Sequence, residues 1–266
     1  MPLFDAHCHL QDERLLPTLD AVMARASGAG VAELMCCGSS EADWPLLPEI
    51  ARRFPGVRLS FGLHPWYVGS RTPNWLVILE TALTSHPSAV GEIGLDHALD
   101  KSTFPDQEAV LLAQIQLANT LKRPVSLHCR RAWGRLIELL DEKGWPGFGF
   151  MIHSYSGSPE LVDPLIRRGA YLSFSGAITF NQNVKGREAI ATVPAERLLI
   201  ETDSPDLAPN LPEKVPSRTA GERPVNEPEN LPMIQAIASE LKGLSPEKIA
   251  ELTWKNAATL WNRRLG

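Results

Sequence analysis

The sequence predicts an α/β fold in which eight parallel strands alternate with helices and close into a (β/α)₈ barrel, one domain spanning residues 1–266. Three observations carry this. Short apolar runs recur along the chain, segments of helical spacing separate them, and metal-binding residue types gather at their C-terminal ends. Strands alternating with helices argue for parallel βα units. Eight such units in about 250 residues match the count and size of a closed barrel.

The runs fall at residues 3–8 (LFDAHC), 31–36 (VAELMC), 57–62 (VRLSFG), 88–93 (SAVGEI), 124–128 (PVSLH), 148–153 (FGFMIH), 170–175 (AYLSFS) and 197–202 (RLLIET). Each has the length and composition of a strand buried on both faces. After the first, Leu16, Leu19, Val22 and Met23 repeat at three and four. Leu111, Leu112, Ile115 and Leu117 do so before Arg123-Pro124 resets the chain. Leu136, Ile137, Leu139 and Leu140 stop at Gly144, and Leu161, Leu165 and Ile166 at Gly169, both fitting helix ends. The competing architecture, an open doubly wound sheet, lacks a G-x-G-x-x-G after the first strand. Residues 204–228 carry Pro205, Pro209, Pro212, Pro216, Pro224 and Pro228 and read as a long loop after the eighth strand. Two helices at 229–241 and 246–261 then close the barrel, the second with Ser245 as its cap and Pro246 in its first position.

Hydrophobic residues make up 44% and charged residues 21% of the 266, so a core forms without disulfides and any metal serves chemistry. The net charge of −5 lacks the basic footprint of a dedicated nucleic-acid binder. A divalent pair would add about four positive charges inside a cleft and reverse the sign there. Cys8, Cys36, Cys37 and Cys129 form no C-x-x-C pair and fit reduced, buried thiols, with Cys36 and Cys37 on a strand. With neither a signal peptide nor an apolar run of membrane length, the expectation is a cytoplasmic enzyme with no membrane association and no obligate protein partner.

His7 and His9 close the first run, His64 follows the third, Glu92 ends the fourth, His128 the fifth and His153 the sixth, and Asp203 sits just past the eighth. In a parallel barrel these ends share one face, where active sites are built. Alternation turns His7 and His9 to one side and Cys8 away. Imidazoles and carboxylates without thiolates suit zinc, manganese or iron. His7, His9, Glu92, His128, His153 and Asp203 exceed what one tetrahedral ion needs, which points to two ions with Glu92 bridging them. Two ions clamp a phosphoryl centre and activate a water, with Asp203 accepting its proton. The catalytic pair is therefore Asp203 and Glu92. By the same alternation Asp5 and Glu201 face inward to orient imidazoles, and Asp96 lies beside the site. Arg130 or Arg131 is placed to reach a phosphate, and Tyr155 or Trp66 to stack on a base.

FDAHCHL at 4–10, FGLHPW at 61–66, VGEIGLD at 90–96, LHCRRAW at 127–133, IHSYSGS at 152–158 and LIETDSP at 199–205 resemble, in order, the motifs of TatD-type metal-dependent hydrolases of the amidohydrolase superfamily. The resemblance implies a TIM barrel with a binuclear site. His7, His9, Glu92 and Asp203 would hold one divalent ion, and Glu92, His128 and His153 the other, with zinc, magnesium or manganese as candidates. It also implies that His64 contacts the substrate phosphate. The implied activity is a metal-dependent deoxyribonuclease of the 3′-to-5′ exonuclease type acting on DNA ends. The alternative is an aminoacyl-tRNA deacylase or other ester or amide hydrolase on the same site. Convergence of His64, Arg130, Arg131, Arg218 and Arg223 on one spot would favour phosphate. A non-catalytic scaffold would lack a ligand, and none is missing. The chain departs from the family in His97-Ala98 after GEIGLD, and in His153-Ser154-Tyr155-Ser156-Gly157, where HCFSG is common.

Overall fold

The computed structural model describes residues 1–210, 219–220 and 223–261. Eight strands form one sheet in sequence order: β1 (Leu3–Cys8), β2 (Val31–Cys37), β3 (Val57–Phe61), β4 (Ser88–Asp96), β5 (Val125–Arg130), β6 (Phe150–Ile152), β7 (Ala170–Phe174) and β8 (Leu198–Ile200). Neighbours pair in parallel throughout. Just beyond β8 the Asp203 amide donates to the His7 carbonyl at 3.0 Å and the His9 amide to the Ser204 carbonyl at 2.7 Å, so the last strand returns to the first. Every residue of β1 and β4 is buried, as expected where helices cover the outside and side chains fill the inside.

The helices alternate with the strands: α1 (Leu19–Gly28), α2 (Leu46–Arg53), α3 (Trp75–Ser85), α4 (Phe104–Thr120), α5 (Trp133–Lys143), α6 (Val162–Arg167), α7 (Val184–Thr192), then α8 (Leu231–Lys242) and α9 (Pro246–Trp261). The tail pair expected from the sequence is present. The α9 start is capped as predicted, Ser245 Oγ accepting the Lys248 amide at 3.2 Å. The α8 end turns through Gly243 at φ +63°, a left-handed position that glycine adopts without penalty. Phe4, Ala6, Met35, Cys37, Ala89, Met151, Tyr171 and Leu199 fill the barrel interior, and Ala257, Leu260 and Trp261 of α9 stop its lower end. Past β8 the expected long loop carries a two-residue antiparallel ribbon, β9 (Thr219–Ala220) with β10 (Arg223–Pro224).

Two irregularities in the sheet position the site. The β1–β2 register shifts between Asp5 and Cys8, and the β4–β5 register between Val90 and Ile93. An extra residue in a strand reverses the in–out alternation beyond it. Phe4, Ala6 and Ala89 belong to the interior cluster below the shifts, while Cys8, Ile93 and Leu95 belong to the outer one above them. His7, His9 and Glu92 consequently turn into the barrel. Asp5, expected on the same face as His7, does not share it. Its carboxylate accepts the Thr202 amide at 2.9 Å and the Thr202 hydroxyl, tying β1 to the end of β8.

Candidate metal centre

Above the interior layer the strand ends converge on Glu92. Its Oε1 lies 2.8 Å from His128 Nδ1 and 2.6 Å from His153 Nε2. Its Oε2 lies 3.2 Å from His7 Nε2 and 3.4 Å from His9 Nε2. Asp203 Oδ1 stands 3.8 Å from His7 Nε2 and 3.6 Å from His9 Nε2. Each of three groups, His7-His153-Asp203, His7-His9-Glu92 and His64-Glu92-His128, brings its donor atoms within 4.8 Å of one another. All six residues proposed as ligands from the sequence thus meet in one place, and the glycines beside Glu92 allow it. A side chain at Gly91 or Gly94 would run into Ser126 or the His128 backbone, and both have φ near +157°, open to glycine. Asp203 itself sits at φ +56°, a conformation aspartate tolerates better than most residues.

The donor set fits cations. His7 Nε2 faces His9 Nε2 at 3.2 Å, and His128 Nδ1 faces His153 Nε2 at 3.1 Å. Two imidazole nitrogens aimed at each other need a proton or a metal between them. His9 Nδ1 lies 2.7 Å from the Cys37 carbonyl, which only accepts, so His9 donates there and keeps its Nε2 lone pair for the centre. His7 Nδ1 is held by Ser126 Oγ at 3.1 Å. On the far sides of the other two, Asp96 Oδ2 approaches His128 Nε2 and Glu201 Oε1 approaches His153 Nδ1, each at 3.4 Å. Such outer partners orient a ligating imidazole and raise its basicity. Glu201 is itself fixed by the Ser154 amide at 2.6 Å.

Charge balance points the same way. Burial pushes His7 down to about 4, with His153 adding to it. Burial also disfavours charge on His9, His128 and His153, but the carboxylates around them outweigh it and hold all three above the usual histidine range. Glu92, despite its burial, is held far below its usual range by the charge on His153 and by hydrogen bonds from His128 and His153. The buried carboxylates demand positive charge. Ligating nitrogens must be deprotonated, so divalent cations would take the place of those protons.

His64 plays a different part. Its Nδ1 accepts the Trp66 amide at 3.1 Å, so the neutral ring carries its proton on Nε2, 3.3 Å from Glu92 Oε1. Burial pushes its pKa down to about 4, keeping it neutral. His64 therefore presents a donor at the mouth rather than a lone pair to a metal. Arg130 is half-exposed, its Nη1 3.8 Å from Asp96 Oδ2. Arg131 is exposed. Arg218 and the Arg223 side chain lie outside the described residues. Tyr155 is a correction: only 4% exposed, it donates its hydroxyl to the Ser158 carbonyl at 2.7 Å and packs edge-on against Trp133 and Phe174. An aromatic ring between two others in the core has no face to offer a base. Asn226 clamps the loop after β8, its Nδ2 donating to the Thr202 and Asp206 carbonyls at 2.8 Å each.

Two residues that carry the site escape the sequence reading. Gln107 and Gln114 lie fully buried, seven apart on α4. Gln114 accepts the Leu63 amide at 2.7 Å and donates to the Leu63 carbonyl at 3.1 Å, gripping the residue before His64. Gln107 grips Asp96 in the same way, at 2.8 and 3.2 Å. The sequence does hold a signal for them: two amides on the apolar stripe of one helix, where polar groups need partners. Gln114→Leu leaves two buried backbone groups unpaired and is expected to cost about 2–5 kcal/mol in denaturant unfolding. A loss under about 1 kcal/mol would mean that water replaces the amide.

This geometry has counterparts among known proteins. The family model of TatD-related DNases matches residues 4–262. The chain is 33% identical over 261 residues to YabD of Bacillus subtilis, an uncharacterized metal-dependent hydrolase, covering 97% of this chain and 98% of that protein. It is 33% identical over 266 residues to TatD of Salmonella typhimurium, named a 3′-5′ ssDNA/RNA exonuclease, covering 97% of this chain and 98% of that protein. The crystal structure of YjjV, a TatD homologue of Escherichia coli K12, superimposes with a TM-score of 0.88 at 29% identity, covering 98% of each chain. The (β/α)₈ barrel and the motifs along it agree with these matches: the chain belongs to the TatD-related DNase family and is a metal-dependent hydrolase.

Proposed function

We propose that the chain cleaves phosphodiester bonds at the 3′ ends of single-stranded nucleic acid, using two divalent cations held by His7, His9, Glu92, His128, His153 and Asp203. One observation carries the reading: one oxygen of the buried Glu92 carboxylate faces the ring nitrogens of His7 and His9, while the other faces those of His128 and His153 with the His64 Nε2 beside them. A pair of cations so held supplies Lewis acidity to a phosphoryl oxygen and makes water a nucleophile near neutral pH. The chain's own groups do the rest. Asp203, 8% exposed at the edge of the cleft, takes the proton of the attacking water on its carboxylate. Its neighbours His7 and His9 are held in place by Ser126 and the Cys37 carbonyl, so the ligand cage needs little reorganisation. His64 donates from Nε2 to a phosphate oxygen, and Arg130 supplies a guanidinium at the mouth. These two donors favour phosphate over a carboxylic ester or amide, as does the exonuclease activity named for the Salmonella relative. Among the described residues no helix is long and apolar enough to cross a membrane.

Exhaustive chelation is expected to abolish nucleotide release from 3′-labelled single-stranded DNA. Adding back zinc, manganese or magnesium is expected to restore it, with about two ions bound per chain by elemental analysis. Release that survives chelation, or that no divalent ion restores, would overturn the proposal.

A further inference from the structure

We propose that Trp66 is the stacking platform for a nucleobase of the bound strand, beside the phosphate being cleaved; this rests on the nuclease reading above. Trp66 is 54% exposed, unusual for a residue that is mostly buried in folded proteins. It is nonetheless fixed. Its backbone amide donates to His64 Nδ1 at 3.1 Å, and its indole Nε1–H donates to Asp96 Oδ2 at 2.7 Å. The indole has no other donor, so the rest of its ring is apolar, and it meets the His64 ring edge-to-face at an interplanar angle of 86°. A ring already pinned at its edge loses little conformational freedom on contact, which makes it an efficient binding surface.

Its position selects the occupant. The indole centroid lies 5.2 Å from that of His64, whose Nε2 is 3.3 Å from Glu92 Oε1. A group lying on the indole is therefore adjacent to whatever His64 and Glu92 hold. Asp96 carries Trp66 on Oδ2, and the Arg130 guanidinium ends 3.8 Å from that same oxygen, half in solvent and without a hydrogen bond to it. A flat apolar face and a half-exposed cation thus flank one carboxylate at the rim of the site. A nucleotide matches both, with its base on the indole and its phosphate toward Arg130. A simple phosphomonoester or a carboxylic ester would leave the indole uncovered. Stacking tolerates any base, so this platform grips a strand without reading its sequence.

The test compares single-stranded oligonucleotides that differ only by an abasic residue at the 3′-terminal or the penultimate position. Wild-type enzyme is expected to favour the intact strand over one of the two abasic strands by about 5- to 150-fold, chiefly through KM. Trp66→Ala is expected to erase that preference and Trp66→Phe to keep most of it. Equal treatment of intact and abasic strands by the wild type, or an undiminished preference in Trp66→Ala, overturns the platform while leaving the nuclease reading intact. Loss of the preference in Trp66→Phe as complete as in Trp66→Ala overturns it too, because the effect then runs through the lost bond to Asp96. No metal-dependent release from any strand by the wild type overturns the nuclease reading and this inference with it.

Discussion

Asp203→Asn is expected to keep the metal content near that of the wild type while kcat falls by about 10²- to 10⁴-fold, the range for loss of a general base. The two side chains have the same shape, and asparagine also tolerates the left-handed backbone at this position, φ +56°. A carbonyl oxygen remains where Oδ1 faces His7 and His9, but a neutral amide has no affinity for a proton. Elemental analysis and single-turnover rates on the same preparation separate the two effects. Near-wild-type turnover would remove Asp203 from the proton path. Loss of metal in step with rate would make it a ligand and nothing more.

Glu92→Gln is expected to do both kinds of damage. One oxygen becomes an NH₂ group, which then faces either the His128–His153 pair or the His7–His9 pair. A donor placed there would repel a cation, and the buried charge that would draw cations in is gone. Bound metal is expected to fall to one ion or fewer per chain, and kcat/KM by about 10³-fold or more, roughly 4 kcal/mol of transition-state stabilisation. Two ions retained at high activity would show that Glu92 does not join them.

The strands are legible because a parallel barrel buries both faces of each strand, so its strands stand out as short unbroken apolar runs. All eight predicted runs overlap the observed strands, and Ser245 caps the last helix as read. The convergence of His7, His9, Glu92, His128, His153 and Asp203 is legible too, since parallel strands put all their C-terminal ends on one face. The misreadings have local causes. Counting by twos assigns Asp5 to the histidine face, but the register shift after it puts Asp5 against Thr202 instead. Tyr155 stands two residues past His153 and looks available to substrate, yet the turn through Ser154, φ +41°, accompanies a ring buried beside Phe174. Gln107 and Gln114 stand on the apolar stripe of α4, which marks them as polar groups in need of partners but not what those partners are. Nothing in a one-dimensional pattern marks which distant backbone group, at Asp96 or Leu63, needs each of them as a partner.

The slips in β1 and β4 separate two tasks within single strands. Below them, Phe4, Ala6 and Ala89 answer to the volume of the barrel interior. Above them, His7, His9 and Glu92 answer to the spacing of charges. Deleting the one extra residue would turn His7 and His9, or Glu92, away from the barrel interior and toward the surrounding helices.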